Sequence, residues 1–306
     1  MRQELAQFSS HQETALTIGV FDGVHLGHQH LISILKQHAE ARGYVPGVVT
    51  FRSHPQQVLS PNNSVVYLSS LEGRIERLHD LGINLVVPLS FTRGLAQTPA
   101  RTFVSLLREF LNVRLLVVGP DFALGKGRKG DIPALISLGH ELGFGIEIAA
   151  PLVLDGEVVS STVVRQAVAE GDVAKVKKLL GRPHTLYGEV VHGDSRGRTL
   201  GFPTANLEIN SDQAVPANGV YVTKAFIEQQ VYSSVTSIGS RPTFGGTERT
   251  IEVYLLDFAR ELYNSNLCIE LLKRLREEQR FSSTKELVAQ IECDVEQARE
   301  VLRSEG

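Results

Sequence analysis

The chain has 306 residues, of which 42% are apolar and 21% are charged, a balance typical of globular proteins. Its formal net charge of −3 provides no bulk basic field, so we expect no nucleic-acid partner. No apolar run approaches the roughly 20 residues that span a membrane, and no signal-peptide core is present, so we expect no membrane partner. Because its two cysteines lie far apart in sequence, we expect a reduced, cytoplasmic protein.

Short aliphatic runs alternate with amphipathic segments in the first half of the chain. The runs predict strands that are buried on both faces, at residues 15–20, 45–51, 85–89, 115–118 and 146–149. Helices are predicted between and after them, at residues 28–41, 71–81, 99–111, 133–142, 162–169 and 173–180. This alternation predicts an α/β fold with an N-terminal doubly wound parallel sheet, which is Rossmann-like.

The texture changes after Gly-Arg-Pro at residues 181–183. Runs of β-branched and aromatic residues then predict strands at 187–191, 219–227, 231–238, 250–256 and 267–272, separated by turn-rich segments such as 240–247. This pattern predicts an antiparallel barrel or sandwich. A terminal helix is predicted over 284–302, where Ser283 and Glu286 have capping-box spacing. We therefore predict two domains, residues 1–182 and 183–306.

The sharpest motif follows the first predicted strand, where residues 17–28 read Thr-Ile-Gly-Val-Phe-Asp-Gly-Val-His-Leu-Gly-His. In a doubly wound sheet, ligands bind beyond the carboxyl ends of strands, and helix N-termini favour phosphate. His25 and His28 share one face of the helix start, and Gly27 leaves room for a phosphate. The histidines are alternatively metal ligands or surface residues, but the strand and glycine context favours a nucleotide site.

Three segments of the first half resemble one family. Residues 21–28 resemble the His-x-Gly-His signature of nucleotidyltransferases. Residues 118–122, with Gly125 and Arg128, resemble the Gly-x-Asp-Phe segment of bacterial FAD synthetases, and residues 159–165 resemble their Ile-Ser-Ser-Thr-x-x-Arg segment. With the matches described below, the whole chain resembles the bacterial bifunctional riboflavin kinase/FAD synthetases.

The resemblance implies that the N-terminal domain is an FMN adenylyltransferase, which moves AMP from ATP to FMN and releases pyrophosphate. It implies catalytic roles for His25 and His28, which would stabilise charge at the α-phosphate. It implies a flavin or nucleotide contact for Asp121. It implies ATP or phosphate contacts for a larger set: Gly19, Phe21, Asp22, Gly27, Ser160, Ser161, Thr162 and Arg165.

Several of these residues have plainer interpretations. Residues 160–162 would serve equally as a helix cap, and Asp121 as an ordinary loop carboxylate. The basic residues at 126, 128 and 129 either grip a phosphate or are solvated, and a role for His54 stays open. The remaining histidines considered have no comparable context and are expected to be structural or exposed: His30, His38, His79, His140, His184 and His192.

A second dense motif occupies residues 192–206. Its glycines allow a ligand to approach the backbone closely and Arg198 adds positive charge. Thr204 and Asn206 offer the hard oxygen donors that Mg²⁺ prefers. The motif alone is equally consistent with a glycine-rich hairpin. However, Gly-Phe-Pro-Thr-Ala-Asn at 201–206 resembles the matching segment of riboflavin kinases, which implies ATP contacts from Gly193, Gly197, Arg198 and Gly201 and Mg²⁺ ligands in Thr204 and Asn206.

An acidic residue, Glu252, lies inside the apolar strand predicted at 250–256. Alternation places it on the face of Tyr254 and Leu256. The resemblance implies that Glu252 is the general base for the riboflavin 5′-hydroxyl; a solvent-facing glutamate is the alternative. Arg276 resembles a flavin-contacting residue and is alternatively part of a solvated charge run.

The chain departs from the family at three positions of interest. Ser237 stands where asparagine is common, Asn264 where glycine is common, and Leu124 where an aromatic residue is common. Two other functions stay open: a nucleotidyltransferase with a different acceptor, and a barrel that only binds flavin. The expected small molecules are ATP, riboflavin, FMN, FAD and pyrophosphate, with Mg²⁺ as cofactor, and weak self-association is left open.

Overall fold

The computed structural model describes residues 1–60, 65–193, 196–243 and 246–304. The chain forms two compact units, Met1–Ser161 and Thr162–Gly306. The division between the units lies earlier in the chain than the predicted domain boundary. Val173, on a helix before that boundary, packs into the core of the second unit. The predicted domain ranges therefore stay a prediction about where each activity lies.

The first unit is built on a five-stranded parallel sheet with the order β3-β2-β1-β4-β5. Its strands are β1 Thr14–Ile18, β2 Val45–Phe51, β3 Leu85–Leu89, β4 Val113–Val118 and β5 Gly145–Ile148. All five strands were predicted, with small differences at their ends. The chain order reverses beside β1, and such a switch point opens a crevice at the carboxyl ends of the strands.

Helices cover both faces of this sheet. They are α1 Arg2–Ala6, α2 Leu26–Glu40, α3 Pro55–Leu59, α4 Leu71–Asp80, α5 Arg93–Ala96, α6 Ala100–Leu111 and α7 Ile132–Leu142. On one face, Leu16 packs with Leu107 of α6; on the other, Val48 packs with Leu35 of α2. The short helices α1, α3 and α5 were not predicted, since four or five residues give no helical period. A small hairpin, β6 Val153–Leu154 with β7 Glu157–Val158, was also missed.

The second unit is a closed antiparallel barrel with the strand order β10-β11-β12-β9-β8-β13. Its elements are α8 Ser161–Glu170, α9 Val173–Leu180, β8 His184–Val191, α10 Arg196–Thr199, β9 Ala205–Ile209, β10 Gly219–Ile227, β11 Gln230–Thr243, β12 Gly246–Leu255, β13 Asn266–Arg276 and α11 Thr284–Ser304. The structure thus selects the barrel over the sandwich, and the predicted fold class is confirmed.

Two parts of the barrel differ from the prediction. Strand β9 was not predicted. The segment 240–247 was predicted to be turn-rich, but β11 continues to Thr243 and β12 begins at Gly246, while residues 244 and 245 lie outside the described residues. Both differences arise because long-range strand pairing overrides local turn propensity.

The terminal helix α11 packs on the outside of the barrel. Ala298 of α11 lies in one cluster with Val222 and Val235 of the barrel. At its start, the Glu286 amide donates to Ser283 Oγ at 3.3 Å, whereas the Glu286 carboxylate accepts from Ser282. The predicted capping box is therefore half formed. Across the described ranges, no helix is both long and apolar enough to cross a membrane.

Candidate active sites

A strained turn joins β1 to α2. Phe21 and Val24 have φ values of 55° and 41°, and Gly23 between them has a φ of 75°. A left-handed conformation is unusual for any side chain and rarest for a β-branched one, and it costs on the order of 1–3 kcal/mol. Phe21 and Val24 are both buried, so their packing holds the turn in this shape. The turn delivers the chain to His25, the N-cap of α2.

The two motif histidines meet at the start of α2. Their rings stack with centroids 3.6 Å apart and planes 21° apart, and the Phe21 ring lies 4.9 Å from His28. His25 is only 4% exposed, and its Nδ1 accepts the His28 amide at 3.3 Å. The predicted shared face is confirmed. Two imidazoles here add to the helix amides and dipole, which favour an anion at this end of α2.

Gly27 has a packing role at this site. A Cβ on Gly27 would lie 2.7 Å from the Val159 carbonyl oxygen and 3.1 Å from the His25 ring. The Ser161 hydroxyl donates to the Asp22 carbonyl at 3.1 Å. The segment that ends in Ser160 and Ser161 therefore lies against the histidine turn, as the predicted phosphate site requires.

The other predicted residues of this site fall into two groups. Gly19 leaves room for the Phe21 ring, which would lie 3.1 Å from a Cβ at position 19. Thr162 and Arg165 lie on α8 in the second unit, and their roles stay predictions.

Asp22 stabilises the histidine turn through its side chain. Its carboxylate is fully buried and accepts the amides of Leu68 at 3.0 Å and Ser69 at 3.2 Å. These bonds stabilise the turn, and the predicted ATP contact of Asp22 stays a prediction. The sequence prediction assigned Asp22 by its place in the motif, and its true partners lie 46 and 47 residues away in the chain.

The loop after β4 carries the predicted flavin residue Asp121. The Asp121 carbonyl accepts the Arg128 guanidinium at 2.8 Å, while Asp121 itself is exposed. Gly125 has a φ of 74°, and a Cβ there would overlap the backbone of Ala100. His54 is the N-cap of α3, and its Nδ1 accepts the Gln56 amide at 3.2 Å, which gives it a structural role.

Histidines without a motif are largely structural, as expected. Buried His184 contacts the Ala214 carbonyl at 2.7 Å, and His79 contacts the Ile83 carbonyl at 2.8 Å. His192 is an exception, because its ring stacks on Tyr263 beside the second site, with centroids 3.8 Å apart.

The second site lies where β9 pairs with β12. Asn206 stands opposite Glu252 in this ladder, and the Thr204 hydroxyl donates to Glu252 Oε2 at 3.4 Å. A Cβ on Gly193 would overlap the Asn206 amide, and a Cβ on Gly197 would overlap the Phe202 carbonyl. The structure therefore brings the glycine-rich loop, Thr204, Asn206 and Glu252 together, although 48 residues separate Thr204 from Glu252.

Glu252 lies on the outer face of the barrel, as alternation predicts. Its neighbours Ile251 and Val253 are buried in the barrel interior, whereas Glu252 is partly exposed. Ser237 faces it across β11 in the same register. Glu252 thus projects where a substrate can reach it, and Thr204 fixes one of its oxygens.

The oxygen donors at this site suit a magnesium ion that takes most of its ligands from water and substrate. Across the described residues, no cluster of three His, Cys, Asp or Glu side chains could hold a metal ion. Thr204 and Asn206 offer a hydroxyl and an amide oxygen beside one carboxylate. Mg²⁺ prefers such oxygen donors and takes its remaining ligands from water and substrate phosphates, so the residues fit it.

A cavity of about 380 Å³ opens beside Thr204. Its walls come from the motif at 203–205 and from the loop 258–263 after β12. Arg198 pairs with Glu261 of that loop at 3.0 Å, and Glu261 raises the pKa of Arg198. The sequence did not place this loop at the site, since its proximity to Thr204 depends on closure of the barrel.

Two family models match this chain, one in each half. A family model described as FAD synthetase matches residues 7–163, and one described as riboflavin kinase matches residues 180–302. The bifunctional riboflavin kinase/FMN adenylyltransferase of Escherichia coli (strain K12) is 40% identical over 287 residues, which are 93% of this chain and 91% of that protein. The protein of the same description from Bacillus subtilis (strain 168) is 38% identical over 290 residues, 94% and 92% of the two chains.

The chain belongs to the bifunctional riboflavin kinase/FMN adenylyltransferase family. A crystal structure from Streptococcus pneumoniae, described as that of a macrolide-efflux protein, shares the fold with a TM-score of 0.88, 32% identity and 95% coverage of each chain. The predicted family and its two transferase parts are confirmed, with the FAD synthetase match in the first unit and the riboflavin kinase match in the second.

The departures from the family are mild in structure. Asn264 has a φ of 60°, a conformation that asparagine tolerates better than most residues. Leu124 pairs with Gly130 and packs against the core of the FAD synthetase unit. Ser237 faces Glu252, so this departure is the one that bears on the kinase site.

Arg276 of the riboflavin kinase unit joins β13 to α11. Its Nε donates to Asp294 Oδ1 at 3.0 Å, and its Nη2 donates to Oδ2 at 2.8 Å. The side chains of Arg276 and Asp294 are 16% and 4% exposed. The guanidinium is therefore engaged in a two-point ion pair, and its predicted flavin contact stays a prediction.

Asp294→Asn is expected to destabilise the riboflavin kinase unit by about 3 kcal/mol, because it leaves the charge of the Arg276 guanidinium without its buried partner. Chemical unfolding of the intact chain, followed by a probe in the barrel, measures this. The matched control is Asp257→Asn, which breaks an exposed pair with Arg299 of the same helix and should change stability little. Equal effects of the two substitutions would contradict the structural role of the Arg276–Asp294 pair.

Proposed function

We propose that the chain makes FAD from riboflavin in two ATP-dependent steps. The second unit phosphorylates riboflavin to FMN, and the first unit adenylylates FMN and releases pyrophosphate. One observation carries this proposal: each candidate site lies within the matching family range, with the histidine stack in 7–163 and the Thr204–Glu252 pair in 180–302.

In the first unit, the chemistry needs positioning and charge stabilisation. The FMN phosphate is already an anionic nucleophile near neutral pH, so no base is required to activate it. Its oxygen attacks the α-phosphate of ATP, and pyrophosphate leaves. His25, His28 and the first amides of α2 stabilise the charge that develops on the α-phosphate. Ser160 and Ser161 would hold the ATP phosphates, and Asp121 would contact the flavin or nucleotide. The ATP contacts expected of Thr162 and Arg165 stay predictions.

In the second unit, the reaction begins with a hydroxyl and needs a base. Glu252 accepts the proton of the riboflavin 5′-hydroxyl, the oxygen attacks the γ-phosphate of ATP, and the bond to the β,γ-bridging oxygen breaks so that ADP leaves. The Thr204 hydroxyl orients the carboxylate through its bond to Oε2. Thr204 and Asn206 would hold Mg²⁺, which when bound neutralises phosphate charge.

ATP and flavin would approach this base from different elements. We assign ATP to the 380 Å³ cavity, because it shares Thr204 with the base and is edged by Arg198. The glycines at 193, 197 and 201 let the loop approach the phosphates closely. Arg276 would contact the flavin from the end of β13.

A time course of flavin products tests this function. Purified protein is incubated with riboflavin, ATP and Mg²⁺, and the flavins are separated by chromatography. FMN that appears before FAD supports both steps and their order. FMN alone would indicate that the first unit transfers a nucleotide to another acceptor. Tight flavin binding without either product would favour the non-catalytic barrel.

Thr204→Val is expected to lower kcat/KM for riboflavin phosphorylation by about 10- to 100-fold, because it removes an oxygen donor and a charge-assisted hydrogen bond without changing side-chain shape much. It should also raise the Mg²⁺ concentration needed for half-maximal rate. Thr204→Ser keeps the hydroxyl and serves as the control, and FAD formation from supplied FMN should not change in either variant. A normal Mg²⁺ dependence in Thr204→Val would contradict the assignment of Thr204 as a magnesium ligand. Removal of Mg²⁺ by a chelator should stop both reactions in every variant.

We also propose that the protein is located in a reducing compartment, the cytoplasm. Cys268 and Cys293 are not joined in a disulfide, and Cys293 is exposed, as suits a reducing compartment.

A further inference from the structure

An arginine is buried at the carboxyl edge of the first unit's sheet. Arg74 of α4 is 1% exposed. Its Nη1 donates to the Val20 carbonyl at 2.7 Å and to the Phe51 carbonyl at 2.9 Å. Val20 follows the end of β1, and Phe51 is the last residue of β2. One guanidinium nitrogen therefore joins two central strands just where β1 gives way to the histidine turn.

The histidine turn in its own right forms hydrogen bonds to the segment that precedes α4. Asp22 of the histidine turn accepts the amides of Leu68 and Ser69, and the Gly23 amide donates to Ser69 Oγ at 3.0 Å. Leu68 and Ser69 immediately precede α4. The turn thus holds the approach to α4, and α4 holds the strand that enters the turn. We call these reciprocal bonds, between residues 20–23 and residues 68–74, the turn brace.

The brace is costly to build, which points to a role beyond filling space. Burial lowers the pKa of Arg74, and the nearby Asp22 carboxylate opposes that shift. A buried charge is expensive unless it is well compensated. Arg74 reaches backbone carbonyls at strand ends, where further ladder partners have run out, and it holds them with a rigid group. Directly beyond lie the left-handed residues Phe21 and Val24, whose strain must be held by surrounding contacts.

We propose that Arg74 is a positioning residue for adenylyl transfer, which through the turn brace fixes the strained turn and so the stacked rings of His25 and His28. The proposal rests on the proposed function of the first unit. Arg74 touches no substrate. It holds the histidines in the arrangement that the charged transition state needs, so its loss affects the chemical step more than substrate binding.

Arg74→Met tests this, since methionine fills much of the space without donating hydrogen bonds. The kcat for FAD formation from FMN should fall about 10- to 100-fold, the scale of an ångström misplacement, while KM for ATP and FMN stays within about threefold. Riboflavin phosphorylation by the same chain should stay within about twofold and reports an intact second unit. Arg74→Lys should recover part of kcat, because an ammonium can donate to one of the carbonyls. Arg77→Met, one turn along α4, is the matched control and should leave kcat unchanged.

A spectroscopic signature separates positioning from simple loss of fold. Ring-proton chemical shifts of His25 and His28, measured by NMR without substrate, report their stacking and should move in Arg74→Met but not in Arg77→Met. If Arg74→Met does not fold, Arg74→Lys carries the same comparison. Unchanged kcat and ring shifts in folded variants, or a change in KM alone, would overturn the proposal. If the wild-type chain makes no FAD, the proposed function fails, and the ring shifts still decide whether the brace holds the histidines.

Discussion

His28→Ala is expected to lower kcat for FAD formation from FMN by about 10³-fold, while riboflavin phosphorylation continues at its normal rate. The His28 ring stacks on His25 at the N-terminus of α2, where charge on the α-phosphate would develop. Removal of one preorganised donor from such a site costs about 10²–10³-fold in rate. Loss of the stack also frees the His25 ring, which places the effect at the upper end of that range.

The measurement is the steady-state rate of FAD formation with FMN and ATP supplied, beside the rate of FMN formation from riboflavin in the same preparation. His30→Ala is the matched control, since His30 lies on the same helix two residues further on and has no proposed role. FAD formation by His28→Ala at close to the wild-type rate would contradict the catalytic assignment. Loss of both activities would show that the substitution acts on folding instead.

Glu252→Gln should produce the opposite pattern, a fall of about 10²–10⁴-fold in riboflavin phosphorylation with FAD formation from supplied FMN retained. Glutamine has nearly the shape of glutamate but cannot accept the substrate proton, and positioned bases contribute about this factor. The Thr204 hydroxyl can still donate to the side-chain oxygen at position 252, so the local fold should persist. The defect should therefore appear in kcat.

Glu208→Gln provides the control for Glu252→Gln. Glu208 lies two residues beyond Asn206 on strand β9, so it lies on the same face of that strand as Asn206. Its side chain is exposed and has no proposed role. Its substitution should leave both rates unchanged. Normal phosphorylation of riboflavin by Glu252→Gln would show that another group, or the substrate itself, carries the proton.

Local pattern was sufficient for much of the fold. The strands of the first unit were predictable because each is a short aliphatic run buried on both faces. The pairing of His25 with His28 was predictable because three residues on a helix span about one turn. By contrast, β9 was missed, because proline and asparagine at 203 and 206 are turn signals and the strand exists only by pairing with β8 and β12.

The features of the sites that were not predicted all depend on residues that are distant along the chain. Asp22 and Arg74 find partners about 50 residues away, and neither shows a local signal for them. Arg276 was assigned a flavin contact from the family resemblance, and its ion-pair partner Asp294, which lies on the next helix, was not predicted. The walls of the cavity beside Thr204 likewise come from a loop that the sequence did not place at the site. Spacing predicts neighbours within one element, but it does not predict which elements meet.

The central claim is that one chain holds two independent catalytic sites that act in sequence. Mixing the two single-site variants tests it most directly. With riboflavin, ATP and Mg²⁺, His28→Ala alone should accumulate FMN, and Glu252→Gln alone should leave riboflavin nearly unchanged. The two proteins together should make FAD, because FMN released by the first is adenylylated by the second. FAD formation by either variant alone at a rate close to that of the mixture, or no FAD from the folded mixture, would contradict the account.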